Sequence, residues 1–303
     1  MSKEQTFLMK PKVDFCFKEL MEDAEVRRGF ISALLDVRPE KIERTEFLPT
    51  HLRKEHQEDK LGILDIRVFI CEQADKERCS KGQRSQMDLE IQLASFPLWP
   101  ERSVFYLAKM YTGKIKKGQS YDVLQKCIHV GILDFILFKE DEEYYSRFHL
   151  WEDTRRRMYT DKLEIHILEL PKLLERDYPK TELLNWARFF NGEKKEEFEM
   201  AAEGSLYIEK AYERLMDMSA DDLKRQEYEA REKAIRDHTY LMNYNLKKGV
   251  EEGREEVIKG FIKVCQEDSY SKEKTASRLI RMLDLSQKAA EEYVEKYWKV
   301  SKE

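Results

Sequence analysis

The chain has few cysteines, no long apolar run, no repeat of fixed period and no excess of positive charge. Its five cysteines, Cys16, Cys71, Cys79, Cys127 and Cys265, stand singly. There is no CxxC pair and no Cys/His cluster, so the pattern excludes a structural zinc site and points to reduced thiols in a cytoplasm. No apolar stretch approaches the roughly 20 residues that a membrane span requires. The opening Met-Ser-Lys-Glu-Gln-Thr lacks the apolar core of a signal peptide, so secretion is not expected. The net charge of −5 argues mildly against a nucleic-acid partner. Phosphate binding depends on local patches, however, and total charge is a poor proxy for these. The basic clusters at 114–117 and 155–157 read first as solvated turns.

What is present is a heavily charged chain of 303 residues, 38% charged and 41% apolar. That length can bury one sizeable core plus a smaller attached unit. Apolar spacing predicts a helix over 14–35, with Phe17, Leu20, Met21, Phe30, Ile31, Leu34 and Leu35 on one face. Strands are expected at 42–48, 61–71, 87–95, 128–138, 147–151 and 162–170. A helix should run from Pro100 to about Lys116, and 72–86 should project as a hairpin tip or insertion. The order predicts an α/β domain over 1–180, a mixed sheet flanked by helices. An all-helical region is expected over 181–303. There, Ser219-Ala-Asp-Asp222 marks the start of a long charged helix, and Ser271 and Ser286 mark the caps of two short ones.

Two of the expected strands carry acids among Ile, Leu, Val and Phe: Asp65 in the first and Glu90 in the second. Period-two alternation puts Asp88, Glu90 and Gln92 on one face of their strand and Asp65 with Arg67 on one face of the other. A lone buried carboxylate is costly unless paired or bound to a metal. Two of them converging favour a hard divalent cation with oxygen ligands, and such a cation supports phosphodiester hydrolysis. An ion pair of Asp65 with Arg67 or another base, and an exposed edge position for Glu90, explain the same residues more simply.

Asp65 followed by Glu90-Ile-Gln92 resembles the D…(D/E)-x-K signature of PD-(D/E)XK nucleases, in the variant with Gln in place of Lys. The segments Lys10-Pro-Lys-Val-Asp-Phe-Cys-Phe-Lys18, Lys60-Leu-Gly-Ile-Leu-Asp-Ile66, Arg102-Ser-Val-Phe-Tyr106, Gly118-Gln-Ser-Tyr121, Ile132-Leu-Asp-Phe135, Leu168-Glu-Leu-Pro-Lys172 and Tyr228-Glu-Ala-Arg-Glu-Lys233 are similar to the transposase branch of that family, also called recombination-promoting nucleases. The resemblance extends over about 9–256.

It implies a restriction-endonuclease-like core and a magnesium-dependent DNA endonuclease, with manganese as a substitute, linked to recombination or mobile elements. Carried across, Asp65 and Glu90 would hold the metal, Gln92 would orient the nucleophile, and Asp14 matches an acidic position that supports the site or simply caps its helix. Gln92 can hydrogen-bond a water but brings no positive charge. Lys18, Arg67 or Lys109 would supply that charge. Arg102, Tyr106 and Lys109 fall on one helix face, where Arg102 and Lys109 would grip the DNA backbone, or Arg102 would instead pair with an acid of the sheet. Two further expectations stand beside this one: a nuclease fold that binds DNA or protein without cleaving it, and a homo-oligomer formed through the C-terminal helices.

Overall fold

The first apolar periodicity folds as two helices rather than one, α1 (Asp14–Glu22) and α2 (Ala24–Leu35). Asp23 breaks the run. Its backbone is extended, and its carboxylate accepts from the N–H groups of Glu25 and Val26, capping α2 instead of continuing α1. The residue preceding α1 is Val13, so Asp14 is the first helical residue and not the cap. The structure, a computed structural model, describes residues 7–50, 65–72, 85–113 and 115–298. The expected strand residues 61–64 and most of the expected projection, 73–84, lie outside these.

Six strands follow: β1 (Ile42–Phe47), β2 (Ile66–Glu72), β3 (Ser85–Gln92), β4 (Cys127–Leu133), β5 (Tyr145–Trp151) and β6 (Met158–Glu169). They form one mixed sheet in the order β1-β2-β3-β4-β6-β5. Pairing is antiparallel from β1 to β3, parallel across β3, β4 and β6, and antiparallel again between β6 and β5. This confirms the α/β architecture of a mixed sheet flanked by helices. Parallel neighbours need a crossover, and between β3 and β4 that crossover contains α3 (Trp99–Thr112).

Three expected boundaries shift for identifiable reasons. β3 starts at Ser85 because Gln86 finds partners: its amide donates to Gln125, and its oxygen accepts from Arg67 at 2.5 Å. α3 ends at Thr112, where the N–H of Gly113 still reaches the Lys109 carbonyl. β4 ends at Leu133. The next N–H, of Asp134, donates to the Gln92 carbonyl, and those of Leu137 and Phe138 donate to the Glu169 carboxylate. Glu169 is buried with Lys172, 3.0 Å away, so this ion pair ties the segment after β4 to the end of β6.

The sheet has two covered faces. α2 lies over one, where Arg27 donates to Thr45 and stacks on Phe47. α3 lies over the other, packing Trp99 on Leu133 and Ile167, and Tyr106, Leu107 and Met110 on Cys127. The close approach of α3 depends on Gly131: a Cβ there would lie 2.5 Å from the Trp99 ring.

The chain folds as two compact units, Met1–Lys233 and Ala234–Glu303. The first includes α4 (Glu182–Asn191), α5 (Lys195–Ala202) and α6 (Leu206–Ala220), whose aromatics Trp186, Phe189, Phe190 and Phe198 join Phe17 and Phe30 in the core. The long helix α7 (Asp222–Glu267) spans the division. Ser219 does not start it. Its hydroxyl is buried, accepting from Met9 N–H, and Asp221 caps α7 by accepting from Leu223 and Lys224. In the second unit Ile258 and Ile262 of α7 pack against α8 (Lys272–Leu283) and α9 (Gln287–Tyr297). These two helices are capped by Ser271 and Ser286 as expected. No described helix is long and apolar enough to cross a membrane.

Gly131→Ala should lower the unfolding free energy by about 1–3 kcal/mol, the usual range for overpacking, because the Trp99 ring must move. Urea denaturation checks this; an unchanged midpoint would show that α3 shifts freely.

Candidate functional site

β3 is where the sheet buries charge. Asp88 and Glu90 both project to the face under α3, and their side chains are 0% and 2% exposed. Each has one close partner. Asp88 Oδ2 lies 2.8 Å from Nδ1 of His129, the residue beside it on β4. Glu90 Oε1 accepts from the Arg102 guanidinium of α3. That guanidinium is enclosed by the rings of Phe96, Trp99 and Tyr106, each between 5.5 and 5.7 Å from it.

Asp65 immediately precedes β2. The pairing ends with Ile66 opposite Leu89, and Asp65, the next residue out, is close enough to Glu90 to act on its carboxyl. Its carboxylate is 3.1 Å from the Lys18 ammonium, which is also 3.9 Å from Asp14. The structure thus brings Asp14, Lys18 and Asp65 together at the rim, and Glu90 with Arg102 behind them. Gln92 shares the face of Glu90, is half-buried, and donates its amide to the Ala94 carbonyl at 3.1 Å. Arg67 is buried, donating to Gln86 and, at 3.4 Å, to the Pro49 carbonyl. Lys109 is half-buried and lies 5.9 Å from the Phe105 ring, seven residues along α3 from Arg102.

The electrostatics follow from burial. Desolvation raises the Glu90 carboxyl to about 7, with Asp88 and Asp65 pushing the same way and His129 and Arg102 opposing. Desolvation also raises Asp88, against its hydrogen bond to His129, and lowers Arg67. The ligand atoms that Asp88, Glu90 and His129 can each offer lie within 4.8 Å of one another.

Sequence reasoning placed Asp88 on the acidic face without giving it a role, and it passed over His129. The signal for His129 was available: a lone imidazole in the apolar run Ile128-His-Val-Gly-Ile-Leu133, with Asp88 two residues before Glu90.

Another buried acid lies on the opposite face. Glu164 of β6 is reached by Lys126 at 2.5 Å, by Arg147, and by His166 and His149 at 3.1 and 3.4 Å. Burial alone would raise its carboxyl, but the bonds from His166 and Lys126 outweigh this and hold it well below the usual range. Tyr145 extends the network, 2.7 Å from His166. Two cations offset this one acid, which suits a structural role.

A family described as PD-(D/E)XK nuclease family transposase matches residues 11–245. No curated protein and no solved structure matches.

Because Glu90 binds a proton more tightly folded than unfolded, the metal-free protein should lose stability as pH rises from about 4.5 through about 7. The shift from 4.5 to about 7 corresponds to about 3 kcal/mol. Glu90→Gln, which can still accept from Arg102, should flatten this slope and be the more stable protein at pH 8. Denaturant titrations across pH in EDTA would decide it; parallel slopes would mean that Glu90 stays ionised throughout.

Proposed function

The chain belongs to the PD-(D/E)XK nuclease family of transposases, and on that premise we propose that it is a divalent-metal-dependent DNA endonuclease acting through Asp65 and Glu90. The observation that carries the proposal is the end of the β2–β3 pairing, where Asp65 follows Ile66 and lies close enough to Glu90 to push its carboxyl upward. The family is one of nucleases associated with mobile elements, so DNA is the natural substrate.

The residues fit a hard cation. Two carboxylates supply only oxygen donors, and Glu90 Oε2 is buried without a hydrogen-bond partner. Magnesium, with manganese as a substitute, bound there would lower the pKa of a water and neutralise charge building on a phosphate. The chain's own groups do the rest. Asp65 and Glu90 would hold the ion. Arg102, fixed among three rings, fastens one oxygen of Glu90 and leaves the other free. Gln92 can turn its amide from Ala94 to hydrogen-bond and orient a water. Lys18, partly exposed beside Asp65, brings the positive charge that Gln92 lacks. Asp14 holds Lys18 from the α1 side. Lys109 contributes to DNA backbone contact farther along α3, whereas Arg67 is buried and favours the charged form of Asp88.

A second reading is a nuclease fold that binds DNA or protein without cleaving it. What favours it is the neutrality of Gln92. Self-association through the C-terminal unit is compatible with either reading. Val250, Val257 and Val264 recur every seventh residue of α7 and are exposed, the spacing of a coiled-coil seam. Val257→Glu should then lower the mass measured by light scattering; an unchanged mass removes the seam.

Nicking of supercoiled plasmid in magnesium, manganese or EDTA tests the main proposal. Metal-dependent nicking is expected from wild type. Asp65→Ala and Glu90→Ala should each lose about 100-fold or more, since even groups behind the ligands typically cost roughly 10–100-fold. Cleavage that survives Asp65→Ala overturns the assignment. A well-folded wild type that binds DNA at low salt and never nicks it supports the second reading.

A further inference from the structure

We propose that the β5–β6 hairpin is a docking surface for single-stranded DNA, gripping unpaired nucleotides well away from Asp65 and Glu90. The inference deepens the reading above by naming the form of the substrate, DNA with an unpaired stretch. It rests on that reading only for DNA as the substrate.

Three observations carry it. First, the hairpin holds apolar and aromatic side chains that the fold leaves bare. Among the described residues, six large apolar side chains of the sheet are exposed, and five of them lie here: Phe148, Leu150 and Trp151 on β5, Met158 and Tyr159 on β6. Trp151 is 46% exposed and Tyr159 86%. β5 is the edge of the sheet, and Trp151 pairs with Met158 across the hairpin, so both rings stand on paired backbone.

Second, the turn between the strands is made of arginine. The Glu152 N–H donates to the Arg157 carbonyl at 2.8 Å, and that of Arg156 to the Glu152 carbonyl at 3.0 Å. The Glu152 carboxylate is taken by Arg155. Among the described residues the side chains of Arg156 and Arg157 have no ion pair, and both are exposed. Arg156 sits at φ 55°, in the left-handed region that Gly or Asn usually fills. An arginine there gives up backbone stability and adds charge.

Third, another basic segment comes to the same end of the sheet. Lys116 and Lys117 are exposed in the segment between α3 and β4. That segment leaves from near Met110 and returns at Cys127, which pack together, and Cys127 lies beside Leu163 of β6. Lys162 of β6 fastens it by donating to the Leu124 carbonyl.

The side chains select the occupant. Aromatic rings stack on the faces of bases, which only unpaired nucleotides offer, and guanidinium groups hold the phosphates between them. A duplex hides those faces and would leave Trp151 and Tyr159 idle. Ile167 is level with Glu90 through Gly131, and Met158 precedes it by nine residues, about 30 Å along an extended strand. The hairpin therefore holds a part of the strand distant from the reacting phosphate.

The test is anisotropy of a fluorescent oligothymidylate of about 15 nucleotides, within the usual site sizes, in EDTA so that metal-dependent cleavage is silent. Wild type should bind it more tightly than a duplex of equal length. Tyr159→Ala should weaken the oligothymidylate about 5- to 100-fold and the duplex by less than about twofold. Arg156→Asn with Arg157→Gln should lower the slope of log affinity against log salt by about 1.4, roughly 0.7 per phosphate contact. Arg156→Asn suits the left-handed turn, so its urea midpoint should not fall, which separates a nucleic-acid contact from a structural turn.

Wild-type affinity and salt slope in these variants overturn the proposal. A Tyr159→Ala loss shared equally by the duplex also overturns it. So does a lower mass of Tyr159→Ala in light scattering with oligothymidylate affinity kept, which assigns the surface to a second copy of the chain. The two readings fail separately. Wild type that never nicks DNA but binds oligothymidylate through Tyr159 sinks the endonuclease and leaves the hairpin standing. Asp65-dependent nicking with hairpin-independent binding does the reverse.

Discussion

A carboxylate cannot be taken out of water without compensation, and β3 buries two on the same face. The architecture around that strand is arranged to meet this demand. Asp88 takes the imidazole of His129 from the parallel neighbour β4, and Glu90 takes a guanidinium from α3, the helix that the β3–β4 crossover creates. Asp65, near Glu90 at the start of β2, takes Lys18 from α1. One cation per acid satisfies Asp65 and part of Glu90, but it leaves oxygens of Asp88 and Glu90 without a partner. On the face under α2 one oxygen of Glu164 also lacks a hydrogen bond, but there Lys126 and Arg147 both sit against the carboxylate. Removing one partner of a buried pair usually costs more than the pair contributes, so the unpaired atoms mark a place where stability has been given up.

The position of the acidic site follows from a change of pairing at β3. On one side its neighbour β2 is antiparallel, so the start of β2 meets the end of β3. On the other side β4 is parallel, so the end of β4 lies there too. Three strand ends therefore converge where the chain leaves the sheet for α3. Trp99, seated on Gly131, holds α3 close enough for Arg102 to reach Glu90.

Much of this was legible in the sequence. The order of elements, the mixed sheet, the acidic face of β3 and the capped C-terminal helices follow from periodicity and capping residues. Asp65 and Glu90 stood out because acids in apolar runs need an explanation. Arg102 pairs with an acid of the sheet, one of the two roles its pattern allowed. What remained hidden depends on partners far apart in the chain. The break at Asp23 turns on a side chain competing for backbone donors. The cap of α7 shifted to Asp221 because Ser219 is engaged by Met9, 210 residues away. His129 escaped notice because a single histidine in a strand is usually core, and only the β3–β4 register shows what it faces.

The lengths of chain that close the site set an order of entropic cost. Arg102 is 12 residues from Glu90 and His129 is 41 from Asp88, whereas Lys10 meets Tyr228 across 218. Loop closure scales with the logarithm of length, so the His129 contact costs about 1 kcal/mol more than the Arg102 contact, and the Tyr228 contact about 1.5 more again. The closures around Glu90 are thus less expensive to assemble from a disordered chain than the contact between Lys10 and Tyr228. The fastening of the N-terminal segment to α7 is among the most expensive, and fraying there leaves the closures around Glu90 intact.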